Sequence, residues 1–288
     1  MIRNRLSAAL LLALCCLASL STTSAGANDL PEAHRLPLLA ADQPVSLTVA
    51  VYNQAGVNAL VTTLAPYVRP EDSFLLISGN NAKPLDLAWL NRAAAALAAR
   101  FPDNRVLVGT AGLANFNLAA QGVQSPIDEI VYIYEPNMAN EPEFSWDFEA
   151  TLAHVDEAAA MAHGHPLAAG VKPTGRPLLQ AYLFKYAWDY GRLGQRVDRT
   201  YVQTQTYCKK NPETFGAAAA ELVAQFGAPG AAWSMEISLD PESVNGVYAD
   251  QALACARAAQ SWNVSRFLMW WSPPYAAEAA AFMAGLGR

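Results

Sequence analysis

Two glutamates could do chemistry together. Glu135 closes the apolar run EIVYIYE and Glu236 closes AAWSME, and these runs are the fourth and seventh of eight strand-like segments. A pair of carboxyls across one cleft can cleave a glycosidic bond, because one protonates the departing oxygen while the other attacks, or stabilises, the positive sugar carbon. A separation of about 5–5.5 Å gives retention, and about 6.5–9.5 Å leaves room for a water and gives inversion. One of the two must stay protonated near neutral pH, which burial and an ionised neighbour achieve.

The elements that must position them alternate along the chain. Short runs rich in β-branched and aromatic residues fall at 45–53, 73–79, 105–112, 129–136, 167–173, 200–207, 231–239 and 266–274. Helical patterns lie between and after them at 58–68, 85–101, 113–121, 148–162, 176–193, 212–226, 250–262 and 276–286. Strict alternation with continuous apolar strands predicts a parallel sheet covered by helices. Eight repeats favour an α/β (β/α)8 TIM barrel over a doubly wound open sheet, and no G-x-G-x-x-G opens any helix. The barrel is expected over 45–288 as a single domain, after an amino-terminal segment at 28–44.

Residues 1–27 read as a secretory signal: Arg3 and Arg5, then the apolar LSAALLLALCCLASL, then small residues ending Ala25-Gly26-Ala27. Leu14 before Cys15 does not fit a lipobox, and no later segment offers about 18 uncharged apolar residues in a row. The expectation is an exported protein, secreted or periplasmic, with no membrane span in the mature chain. The formal charge is −6, and cleavage would remove two arginines and no acid. An acidic chain argues against a nucleic-acid partner. Of four cysteines, Cys208 and Cys255 survive cleavage; an oxidising compartment allows a bridge between them, and geometry decides whether it forms.

In such a barrel the active site lies at the carboxyl ends of the strands. Asn53, Ser78, Thr110, Glu135, Lys172, Gln203, Gln205, Tyr207, Glu236, Ser238, Trp270, Trp271 and Ser272 fall there. Glu135 and Glu236 are the catalytic candidates. Asn53, Lys172, Gln203, Gln205, Tyr207, Trp270 and Trp271 are candidates for contact with a carbohydrate, with Asn137 a further one if its loop turns back. Period-two alternation puts Val131 and Ile133 on the face of Glu135. Ser234 and Ser238 share the face of Glu236, with Trp233, Met235, Ile237 and Leu239 behind, and Tyr201, Gln203, Gln205 and Tyr207 share one face of the sixth strand. His163 and His165 sit in a turn at the opposite end, His154 lies within the fourth helix and His34 near the amino terminus, so neither a metal nor any other cofactor is expected. No G-x-S-x-G supports a serine hydrolase.

These features resemble the 4/7 superfamily (clan A) of retaining glycoside hydrolases, over residues 45–288 and by architecture rather than by extended identity. The resemblance implies that Glu135 is the acid/base and Glu236 the nucleophile. It also implies that Tyr207 corresponds to a tyrosine hydrogen-bonded to the nucleophile, and Trp270 or Trp271 to the eighth-strand tryptophan under the sugar. The family's asparagine before the acid/base is Tyr134 here. Chitinase-type barrels end their fourth strand D-x-x-D-x-D-x-E, where this chain has Asp128, Val131, Ile133 and Glu135, matching the first and last acids. A polysaccharide-binding barrel without catalysis is the remaining alternative.

Overall fold

The computed structural model describes residues 44–79, 83–124, 127–134, 147–163, 174–176, 188–227 and 233–288. These lie in one compact unit, Leu38–Arg288. The expected signal at 1–27 and the segment to 43 are outside the described residues, as are Glu135, Asn137 and Lys172.

The strands are β1 (Ser46–Val51), β2 (Ser73–Ile77), β3 (Arg105–Ala111), β4 (Glu129–Ile133), β5 (Thr174–Arg176), β6 (Thr200–Val202), β7 (Trp233–Leu239) and β8 (Arg266–Trp271). All pair parallel in sequence order, and β8 returns to β1 through Ser46↔Arg266 to Val49↔Met269. The result is a TIM-like curled sheet enclosed by helices. Its thinnest seam is β5, which meets β6 through the single pair Gly175↔Thr200.

The described helices are α1 (Gln54–Ala59, continued by a π turn at Leu60–Leu64), α2 (Leu87–Arg100), α3 (Leu113–Gly122), α4 (Phe148–His163), α5 (Tyr190–Gly194), α6 (Gln205–Lys210), α7 (Pro212–Phe226), α8 (Ala249–Gln260) and α9 (Ala276–Gly285). Local chemistry sets their starts. The Asp86 carboxylate accepts the Trp89 N–H at 2.8 Å to cap α2, and Asn211 accepts the Thr214 N–H at 2.7 Å to cap α7, whose first residue is Pro212. Among the described helices none is long and apolar enough to cross a membrane.

Two expected elements differ. The described part of the fifth strand is Thr174–Arg176, in register with Val131, Tyr132 and Ile133, while the strand expected at 167–173, with Lys172 at its end, lies outside the described residues. Arg176, expected to open a helix over 176–193, ends β5 instead, and the described helix there is Tyr190–Gly194. The sixth strand stops at Val202, with an isolated bridge at Gln203, and turns into α6. Alternating Gln and Thr over 203–206 mimics a strand in sequence, yet the Tyr207 N–H donates to the Thr204 carbonyl at 3.0 Å and begins a helix. Gln205 and Tyr207 are thus helical and do not share a strand face with Tyr201.

Alternation divides the strands between two cores. Ala50, Leu75, Leu107, Val131, Ile133 and Leu268 fill the inside with Tyr201, where bulky side chains pack in layers. Leu47, Val49, Phe74, Val108, Met235, Ile237 and Phe267 face out, toward Leu90, Phe116, Phe215 and Phe282 of the helices. Each such side chain contributes about 1.5–3 kcal/mol on full burial. Gly109 faces inward, where a β-carbon would stand 3.1 Å from Leu75 Cδ1 and 3.3 Å from Ile133 Cδ1. The interior there is already full.

Polar ties close the layers. Asp72, buried before β2, accepts from the Leu47 N–H at 2.8 Å and the Arg69 N–H at 2.9 Å and pairs with Arg288, both side chains of that pair being wholly buried. Cys208 and Cys255 form the disulfide whose pairing the sequence left open, with Cα atoms 5.8 Å apart and a sequence separation of 47. It ties α6 to α8. Closing a loop of that length disfavours the unfolded chain by about 4 kcal/mol in the chain-entropy description.

Burial pushes the Tyr207 hydroxyl up to about 12, and raises Tyr190 and Tyr201 as well. A group whose pKa is raised by folding contributes stability that is complete below its unfolded value near 10 and is lost as pH rises through the folded one. Urea unfolding followed by circular dichroism is therefore expected to show stability falling steadily above pH 10. Tyr207→Phe should reduce that slope; an unchanged slope would count against the burial of this hydroxyl.

Candidate functional site

Glu236 is the fourth residue of β7, in register with Leu268 of β8, and its side chain lies on the inward face with Ser234 and Ser238. It is fully buried. The backbone is pinned by one hydroxyl: Thr204 Oγ1 accepts the Glu236 N–H and donates to the Glu236 carbonyl, both at 2.9 Å. That double link joins the end of β6 to the middle of β7, so the helix that starts at Gln205 emerges beside the carboxyl.

Glu236 Oε2 accepts from Gln205 Nε2 and from Trp270 Nε1, each at 2.7 Å. Two N–H donors on one carboxylate oxygen fix the plane of the group. The Trp270 ring, half-buried at the end of β8, stacks on Tyr52 with centroids 5.3 Å apart and planes 29° apart. Beside them opens a cleft of about 380 Å³ bordered by Gln205, Ser238, Asp240, Ser243, Asn245 and Trp270.

The far wall is the loop after β7. The Ser243 N–H donates to the Asp240 carbonyl at 2.8 Å, and the Val247 N–H to that of Ser238 at 2.9 Å. From α6, Thr206 Oγ1 donates to Asn245 Oδ1 at 3.1 Å and Lys209 Nζ to the Gly246 carbonyl at 2.6 Å. Gly246 leaves no room for a β-carbon against the Asp240 carbonyl. The wall is therefore built by α6 and β7 together, the two elements that present Gln205 and Glu236.

Of the residues singled out by sequence, Glu236, Gln205 and Trp270 meet around one carboxyl oxygen. Gln205 arrives there from a helix rather than a strand. Gln203 is buried at the end of β6. Tyr207 packs in the helix-facing core on α6, and the Lys210 ammonium lies 5.7 Å from its ring centroid. Trp271 borders the cleft, but its ring belongs to the helix-facing core and is only 3 % exposed. Asn53 caps α1 by accepting the Gly56 N–H at 2.9 Å. Alternation explains the near miss at Asn53: Ala50 faces in and Val51 out, so Tyr52 is the next inward position and Asn53 is not. Tyr52 was legible by that count. Asp240 and Asn245 carried no signal, since their place depends on how the loop closes.

Tyr134 is also informative. It is buried in the helix-facing core, 5.9 Å from Tyr132 and 6.1 Å from His154 between ring centroids, and its hydroxyl is 3.4 Å from Thr151 Oγ1 of α4. Tyr134 thus helps to seat α4 against the sheet.

No protein-family model matches the chain, and no curated protein matches it in sequence. Solved structures do match in fold. The spore cortex-lytic enzyme SleL of Bacillus cereus aligns with TM-score 0.55 and 10% identity over 85% of this chain and 74% of its own. The Group IV chitinase of Ostrinia furnacalis aligns with TM-score 0.54 and 11% identity over 85% and 100%. The catalytic domain of psychrophilic chitinase B from Arthrobacter TAD20 aligns with TM-score 0.57 and 7% identity over 84% and 95%. At such identities the likeness is one of fold: this chain has the TIM-like parallel α/β architecture of these glycoside hydrolases.

The Thr204 hydroxyl serves two buried backbone groups of Glu236, and an isosteric Thr204→Val leaves both unpaired. The expected cost is about 1–3 kcal/mol per orphaned group, read as a lower urea midpoint with an unchanged m-value. A midpoint equal to wild type would mean that the hydroxyl does not pin β7.

Proposed function

We propose that the protein is an exported glycoside hydrolase that cleaves a polysaccharide or oligosaccharide at the mouth of a complete (β/α)8 barrel, with retention. The observation that carries this reading is Glu236: a fully buried carboxyl, oriented by Gln205 and Trp270 and set beside a Tyr52–Trp270 stack in a polar cleft. Aromatic faces suit the apolar faces of sugar rings, and Ser238, Ser243 and Asn245 suit their hydroxyls. Glu236 is assigned as nucleophile or stabiliser, and Glu135 as acid/base. The inward positions of Val131 and Ile133 in β4 support the second assignment, because the same alternation reaches Glu135.

The helix-facing place of Tyr134 weighs against the asparagine-based chemistry of the 4/7 superfamily. Asp128 and Glu135 match the first and last acids of the chitinase strand pattern, and chitinases are among the proteins of similar fold. An Ostrinia furnacalis Group II chitinase domain is recorded with a penta-N-acetylchitooctaose, which makes N-acetylglucosamine oligomers the first substrates to test. Export is supported by the leader at 1–27 and by the Cys208–Cys255 bridge, which persists in an oxidising compartment. A non-catalytic carbohydrate-binding barrel is the second reading. It is favoured by Val131 and Ile133 standing where the chitinase pattern has aspartates.

Hydrolysis of chitooligosaccharides and of a panel of envelope and plant polysaccharides, with the product anomer followed by NMR, separates the two. The enzyme reading expects turnover by wild type and a loss of roughly 10²–10⁴-fold in Glu135→Gln and in Glu236→Gln. Full activity in both variants on a substrate that the wild type cleaves would reject the mechanism. Binding without turnover across the panel would establish the second reading.

A further inference from the structure

The opposite end of the sheet carries charge that carbohydrate chemistry does not use. Arg105, Glu129 and Arg266 are the first residues of β3, β4 and β8, and Arg199 immediately precedes β6. Leu107, Val131 and Leu268 face the interior, so the residues two before them, Arg105, Glu129 and Arg266, lie on the same inward face at the amino-terminal mouth. Tyr201, wholly buried above them, hydrogen-bonds with Arg199 and lies 3.4 Å from Thr48 Oγ1, which in turn is 2.9 Å from Ser73 Oγ. These polar groups form a continuous floor across the sheet.

The charges in this floor do not cancel. Three guanidiniums face two carboxylates: Arg105 is paired with Glu129, which is almost entirely buried, and both Glu129 and Asp198 act on Arg199. Arg266 instead has two other guanidiniums, Arg199 and Arg105, as its charged neighbours, and burial together with this repulsion lowers its pKa. No carboxylate among the described residues pairs with Arg266. Arg199 Nε is a buried donor with no hydrogen-bond acceptor among the described residues. A guanidinium cannot relieve such repulsion by losing its proton at ordinary pH, so the arrangement calls for an anion. The Arg105 side chain is 41% exposed and so meets solvent at this mouth.

We propose that this mouth is a binding site for a small tetrahedral oxyanion, phosphate or sulfate, held by Arg199 and Arg266 with Arg105 at the rim. A tetrahedral oxyanion offers several acceptor oxygens to forked guanidinium donors, and it neutralises the excess charge on Arg266 while giving Arg199 Nε a partner. Its distance from the carboxyl mouth makes it a structural or regulatory site rather than part of the Glu236 cleft.

The test is isothermal titration calorimetry of the purified protein with sodium phosphate and, separately, sodium sulfate, alongside thermal unfolding in each salt and in sodium chloride at matched ionic strength. Saturable heat at millimolar anion and a rise of a few degrees in Tm over chloride are expected. Arg266→Gln should abolish both responses, and Arg192→Gln, which changes an exposed arginine paired with Glu149, should keep them. The two titrations tell which oxyanion is preferred. No saturable heat in the wild type, or a Tm rise of equal size in Arg266→Gln, would overturn the proposal. Neither readout involves carbohydrate cleavage, so this site and the proposed hydrolase activity stand or fall separately.

Discussion

The double hydrogen bond between Thr204 Oγ1 and the backbone of Glu236 is the contact on which the site's geometry turns. It ends β6, directs the chain into α6, and fixes the height of Glu236 in β7. Gln205, as the first residue of α6, then stands within 2.7 Å of the carboxyl, and Lys209 and Thr206 reach the loop that walls the cleft. A β6 that ran on to residue 207 would have sent Gln205 and Tyr207 up the rim of the sheet instead. The disulfide at Cys208, one turn further along α6, secures the same helix to α8.

Alternation of side chains across the sheet is the second constraint. It gives each strand one face for the helices and one for the interior, and it sorts the interior by height. Polar and charged residues occupy the amino-terminal mouth, apolar residues the middle, and Glu236 with Trp270 the carboxyl end. The apolar side chains of Leu75, Leu107, Val131 and Leu268 fill the interior of the same sheet.

Much of this was legible in the sequence wherever periodicity and burial agree. The strands of the first half, β7 and β8 were found close to their observed bounds, and the division of β7 into an inner face with Glu236 and an outer face with Trp233, Met235, Ile237 and Leu239 follows from alternation alone. The described part of β5, Thr174-Gly175-Arg176, has neither apolar content nor β-branched density, and only its register against β4 marks it as a strand. The end of β6 was missed because a side-chain bond from Thr204, invisible to pattern, competes with strand continuation. Asn53 was chosen over Tyr52 by residue type, where counting faces would have chosen the tyrosine. The charged floor gave no signal in sequence because it lies at strand beginnings, away from the carboxyl ends where barrel active sites sit.

The most direct test of the central claim is a crystal structure of Glu236→Gln soaked with a chitooligosaccharide or with whichever oligosaccharide the wild type is found to bind. The account predicts one sugar ring lying on the Tyr52–Trp270 stack, with its anomeric carbon facing residue 236 and its hydroxyls on Ser238 and Asn245. A sugar bound elsewhere on the molecule, with this cleft empty, would contradict it.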